Sequence, residues 1–285
     1  MLAAASLIEK EFEVWPGLLR LAAAGEGARD ALDAGMDMAR EILLTLMADA
    51  ELFARGSADI LPRGVAGRLA LEAFHTLRDA LPVDDLPPAL AALPGAVCDA
   101  VLATMGEGGR TTLALVSVGD VLAVRQDAGE SLPVRTDLSP VLHEFCGALG
   151  AGPQWGAALG GSRSATPTSG LADLVAVQAP GAALAGLVAA MLSDAVDVAG
   201  APRLDGHLRD RLLALGWTER RVVGAAGLVE PEAVWQALSA AVRRASALRE
   251  KRLLRAAALG LKGRGRIVGP VDGDRLLRFG VSEWR

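Results

Sequence analysis

The chain is poor in the residues that most often announce a chemistry. It has two cysteines, three histidines, no tyrosine, and aromatics amount to only 4% of its 285 residues. Cys98 and Cys146 lie far apart in sequence, which excludes a CxxC metal pair and a disulfide framework and reads as two buried, inert thiols. His75, His143 and His207 share no metal-ligand spacing and read as structural. His143, Glu144 and Cys146 sit too close on one segment to make a nucleophile and base pair. No Rossmann fingerprint, P-loop, GxSxG elbow or paired-carboxylate spacing occurs. Long uninterrupted apolar runs are also missing. Leu174–Leu192 is broken by Gln178, Pro180, Gly181 and Gly186, so it predicts a strand, a turn and a buried helix, with no membrane span. Glu9, Lys10 and Glu11 interrupt the apolar N-terminal segment before a signal-peptide core forms, and a soluble cytoplasmic protein is expected.

What is abundant is aliphatic. Hydrophobic residues make up 52% and charged residues 22%, enough to bury a sizeable core built from Ala, Leu and Val, with Trp15, Trp155, Trp217, Trp235 and Trp284 as scattered anchors. The net charge of −5 is uneven: nine basic residues against Glu250 alone lie between Arg243 and Arg266. Val234, Leu238, Ala241, Ala245 and Leu248 repeat there at helical spacing, so the segment reads first as a solvated helix face. A docking surface for an acidic partner subunit or a phosphorylated ligand is the sharper alternative. Nucleic acid is not expected, because no aromatics are interleaved with the basic residues and the whole chain is acidic.

The hydrophobic pattern predicts helices at Glu26–Phe53, Val65–Ala80, Gly95–Met105, Gly181–Val196 and His207–Leu215, and a basic helix from Glu232 to Gly260. Strands are expected in two runs around Gly119-Asp120 within Thr111–Gln126, at Leu132–Thr136 and at Leu171–Gln178, with a final hairpin across Pro270–Asp274. Pro82–Pro94 reads as an internal proline-rich loop or linker. Helices and strands in mixed order give an α+β (mixed α/β) single domain over residues 1–285, an antiparallel-rich sheet flanked by helices.

The segment with most chemical promise is Gly160–Asp173, GGSRSATPTSGLAD, a glycine- and hydroxyl-rich loop that feeds a strand and then a helix. That is the order in which many α/β proteins present a loop to an anionic ligand. Hydroxyls and an arginine bind phosphate or carboxylate oxygens, and equally cap the loop's own backbone. Asp120 and Asp173 each sit at the boundary of an apolar strand, in a turn-stabilising role or as pocket carboxylates.

PGAVCDAVLATM, a strand ending VSVGDV, the loop GGSRSATPTSG, and LADLVAVQAPGAALAGLVAAMLSDAV follow one another in an order that resembles the ApbE-like superfamily, FAD:protein FMN transferase relatives. The closest likeness is to its small, largely uncharacterised bacterial and archaeal branch, and it spans about Gly95 to Val196. The resemblance implies flavin- or nucleotide-related chemistry: ApbE proteins use a divalent metal to cleave FAD and transfer FMN onto a hydroxyl of a target protein. It carries cofactor-binding roles to Gly119, Asp120, Gly161, Arg163, Thr166, Thr168 and Asp173, with Gly170 completing the loop pattern. The family holds its metal partly with the Asp and Thr of an Ala-Asp-x-x-Ala-Thr helix. Here that segment is Ala185–Ala190, with Gly186 for the Asp and Ala190 for the Thr, and neither offers the oxygen a hard cation demands. Val118 likewise stands where the family's strand end has its first Gly.

Three functions are compatible with this pattern. One is an accessory or ligand-binding subunit, homo-oligomeric or part of a larger complex, that keeps the scaffold without the metal chemistry. Another is an enzyme acting on a flavin, pterin or other phosphate-bearing cofactor, for which the resemblance hints at tetrahydromethanopterin-linked one-carbon metabolism. The last is FMN transfer with a relocated metal site.

Overall fold

The computed structural model describes residues 7–14, 17–54, 61–81, 86–106, 110–128, 130, 132, 139–149, 153–162, 164, 170–198, 203–205, 223–226, 229–271, 273–274 and 283–284. The fold is mixed α+β. Eleven strands are described: β1 (Ile8–Val14), β2 (Gly17–Gly25), β3 (Thr111–Val118), β4 (Val121–Gln126), β5 (Gln154–Gly160), β6 (Leu174–Ala179), β7 (Arg203–Asp205), β8 (Val223–Ala226), β9 (Ala256–Leu261), β10 (Arg264–Val268) and β11 (Glu283–Trp284). The helices are α1 (Ala28–Ala54), α2 (Val65–Ala80), α3 (Leu93–Gly106), α4 (Pro140–Leu149), α5 (Ala182–Ala195) and α6 (Pro231–Glu250).

Nine strands form one open sheet in the order β1-β2-β3-β4-β5-β6-β9-β10-β11. Every neighbouring pair is antiparallel except β10 with the two-residue β11. β7 and β8 pair separately. Alternation along each strand gives the sheet two apolar faces. Leu21, Ala23, Ala114, Val116, Ala158, Val175, Val177 and Leu259 point toward α1, α2, α3, α5 and α6. Leu115, Leu122, Val124, Ala157, Leu174 and Ala258 point the other way, where Leu142, Phe145 and Cys146 of α4 cover them.

Helix α3 is apolar nearly all round, Asp99 and Thr104 apart, because it is the centre of the thick layer, packed on α1, α2, α5, β3 and β4. With the preceding 3-10 turn Ala89–Ala92 it makes an 18-residue stretch apolar enough to cross a membrane, most of it buried inside the core. Pro94 lies in the first turn of α3, where a missing N–H costs nothing, and Leu90, Ala91, Ala92 and Leu93 are buried. The second half of the proline-rich stretch is therefore packed structure, and residues 82–85 lie outside the described residues.

Close backbone approach explains two glycines. The first turn of α5 is wedged between α3 and β5, and a Cβ at Gly95 or at Gly156 would overlap the backbone of Ala182.

The C-terminal third differs from the sequence expectation. The basic helix ends at Glu250 instead of Gly260, and AAALGL, alanine-rich and helix-like in composition, is the interior strand β9. Tertiary pairing with β6 and β10 overrides propensity there. A hairpin turns at Lys262-Gly263, both at positive φ as a type I′ turn requires, and the second strand of the hairpin expected across Pro270–Asp274 lies outside the described residues. The expected strand at Leu132–Thr136 and helix at His207–Leu215 fall almost wholly outside the described residues. On α6, the stripe Val234, Leu238, Ala241, Ala245 and Leu248 is buried and Arg243 and Arg249 are exposed.

Candidate functional site

One end of the sheet gathers the turns that the motif comparison singles out. The β3–β4 turn holds Gly119 and Asp120, the segment after β5 begins at Gly161, β6 begins after Asp173, and the β9–β10 turn holds Lys262 and Gly263. Gly119 has φ +56, which lets a two-residue turn close the hairpin without a Cβ penalty. The Asp120 carbonyl accepts the Leu159 N–H at 3.0 Å, fastening this turn to β5.

Both ends of the glycine- and hydroxyl-rich loop are tied down. The Ser162 N–H donates to the Ala172 carbonyl at 2.9 Å, and the Ser164 N–H and hydroxyl both donate to the Gly161 carbonyl, at 3.1 and 3.2 Å. Gly161 sits at φ +95, and a Cβ there would stand 2.9 Å from the Ala172 carbonyl oxygen. The Asp173 carboxylate accepts the Lys262 N–H at 2.6 Å, and its own N–H donates to the Gly260 carbonyl at 2.9 Å. Asp173 thereby links the loop to the β9–β10 turn. Gly119, Asp120, Gly161 and Asp173 thus share one end of the sheet. Arg163, Thr166 and Thr168 lie outside the described residues.

The helix that follows β6 runs back antiparallel to it, so the C-terminal end of α5 lies beside the loop. Leu171 donates to the Val196 carbonyl at 2.6 Å, and Gly170 packs against Ser193. The N-terminus of α5 thus lies at the opposite end of the sheet from the loop. It is also already filled. Gly181, the residue before α5, has no side chain to cap with, and Asp99 of α3 supplies one: its carboxylate oxygens accept the Ala182 and Ala183 N–H groups at 2.9 and 2.8 Å. Burial raises the pKa of Asp99, and the N–H bonds from Ala183 and Ala182 pull it partly back. The same device recurs at α2, where buried Asp49 accepts the Arg63 and Gly64 N–H groups at 2.6 and 2.8 Å.

Gly186 and Ala190 are buried within α5. A Cβ built on Gly186 stands 3.0 Å from the Ala91 carbonyl oxygen and 3.9 Å from Val121. Cys98 and Cys146 are both free and buried, and burial pushes each thiol well above its ordinary value.

The opposite end of the sheet holds features the sequence reading passed over. A cleft of about 660 Å³ opens between the start of β5, the end of β6 and the turn after α6, walled by Trp155, Pro180, Arg249, Arg252 and Arg255. The signal for it is an arginine where a helix end favours glycine.

These findings define an α+β protein built on an open, mainly antiparallel sheet, with one thick helical layer and a capped loop cluster at one sheet end. Residues 9–267 match the family model described as AbpE bacteria, and the chain belongs to that family. No curated protein matches it.

Proposed function

We propose that this chain is a divergent ApbE-like protein acting as a non-catalytic accessory or ligand-binding subunit in cofactor-linked metabolism, its metal-dependent FMN-transfer site degraded. The reading is carried by helix α5. At the two positions where the resemblance places metal-holding Asp and Thr, the chain has Gly186 and Ala190, buried in an apolar layer. A Cβ at 186 stands 3.0 Å from the Ala91 carbonyl oxygen, so the first atom of any side chain there presses on a backbone acceptor, and neither glycine nor alanine offers a cation an oxygen. These residues do not fit a hard divalent metal, and no transfer step is derived through one.

The loop end supports the same reading. Asp173 spends one carboxylate oxygen on the Lys262 N–H, and Gly161 receives two bonds from Ser164. The retained motif thus serves to hold the loop and the β9–β10 turn together.

The test is a comparison on purified protein. Incubation with FAD, magnesium and a hydroxyl-bearing acceptor protein is expected to leave the acceptor's mass unchanged, while an authentic FMN transferase run in parallel adds FMN. An FMN adduct that depends on this chain would overturn the reading.

A further inference from the structure

The cleft between β5, β6 and the turn after α6 has the size of a small-molecule site, about 660 Å³. Its rim carries Arg249, Arg252 and Arg255 against Glu250. Guanidinium groups grouped in this way around a concave surface suit a phosphate, which they bind through paired, charge-assisted hydrogen bonds.

Arg252 is held there at a conformational cost. Leu253 donates to the Leu248 carbonyl and Arg252 to the Arg249 carbonyl, both at 3.0 Å, which is the Schellman pattern at the end of α6. Arg252 occupies its left-handed position, with φ +61, where glycine is the usual residue. A bulky side chain kept at such a position, facing a cleft, points to a use for that side chain.

The deep wall of the cleft supplies the second half of the argument. Trp155 is 4% exposed and its indole Nε1–H has no acceptor among the described residues. Gln178 pairs with Ala157, two residues along the same face of β5 from Trp155, so the two side chains are diagonal neighbours. Gln178 is 0% exposed, and neither its amide oxygen nor its amide nitrogen has a partner among the described residues. His143 of α4, which crosses β5 and β6, adds an unpaired Nε2 in that layer. Buried polar atoms nearly always have partners, and here the unpaired indole N–H of Trp155 belongs to the wall of a basic cleft, with the unpaired Gln178 amide packed behind it.

We infer that the cleft binds a phosphate ester of a planar heteroaromatic ring. The arginines take the phosphate, Trp155 provides an aromatic wall, and its indole N–H hydrogen-bonds the ring's polar edge. This site is at the other end of the sheet from the Gly161–Asp173 loop and stands independently of whether the chain transfers FMN.

The chain's five tryptophans give a direct probe, because each indole N–H yields one signal in a ¹⁵N spectrum and Trp155→Phe identifies the relevant one. AMP and FMN are expected to shift the Trp155 signal saturably, with inorganic phosphate at least about tenfold weaker, since it lacks the ring contacts. Arg252→Gly should weaken AMP and FMN binding by about tenfold or more while holding or raising Tm, because it removes a phosphate ligand and relieves the turn. No Trp155 shift with AMP or FMN at millimolar concentration, or unchanged affinity in Arg252→Gly, would overturn the assignment.

Discussion

Replacing Asp99 with alanine should cost more than any ordinary helix cap. The carboxylate bridges α3 to the first turn of α5 through two backbone N–H groups, at 2.9 and 2.8 Å, and Gly181 offers no substitute. Loss of a cap alone costs about 0.5–2 kcal/mol. Two N–H groups left unpaired in a packed layer add to that, so Asp99→Ala should lose about 2–4 kcal/mol, roughly 3–7 °C in Tm. Asp99→Asn keeps one acceptor and should lose about half as much. The pH dependence has a defined sign. Burial raises the pKa of Asp99 in the folded state, with the Ala183 and Ala182 bonds opposing, so the native protein holds that proton above the point where the unfolded chain releases it. Stability contributed by Asp99 is therefore greatest below the unfolded carboxyl value and declines as pH rises through the folded one. Urea unfolding of wild type, Asp99→Asn and Asp99→Ala across the acid range reads all of this. The wild-type advantage over Asp99→Asn should narrow with rising pH. An alanine variant within about 0.5 kcal/mol of wild type, or an advantage that widens with pH, would refute the reasoning.

Gly95→Ala places a Cβ into the Ala182 backbone and should destabilise by about 3 kcal/mol or more in thermal denaturation, where an exposed helical Gly→Ala would stabilise. Gln178→Met removes a buried amide with no partner at nearly constant volume, so the ligand-free protein should gain about 1–2 kcal/mol in urea unfolding. Cys98 and Cys146, buried with raised thiol pKa values, should react with a thiol reagent only at the rate of unfolding, and fast labelling of native protein would contradict their placement.

Much of the central architecture was legible from pattern alone. Val65–Ala80 has the helical bounds its apolar spacing predicts, and the β3–β4 hairpin turns at Gly119-Asp120 because a glycine-acid pair between two β-branched runs leaves little else possible. β1 and β2 were missed for opposite reasons. IEKEFEV alternates cleanly but its charges stand out first as a break in the apolar N-terminal segment, while the alanines of GLLRLAAAG favour a helix and become a strand only by pairing with β1 and β3. Alanine-rich β5 and β9 follow the same rule. At the candidate site, the sequence placed Asp173 and Gly161 in a loop but said nothing of the Lys262 N–H that Asp173 accepts, 89 residues on. Asp99 was legible only as a polar residue off the apolar stripe of α3, because the helix it caps begins 83 residues later. The cleft residues Trp155, Pro180 and Arg252 come from three separate segments, and only the pairing of β5, β6 and β9 brings those segments together.

The central claim is that the scaffold is kept and the metal-dependent transfer is lost at α5. The most direct measurement is intact mass spectrometry of an acceptor protein after incubation with this chain, FAD and magnesium, with an active FMN transferase as positive control. The account predicts an FMN adduct in the control and none with this chain, and an adduct formed by this chain and abolished by omitting magnesium would contradict it.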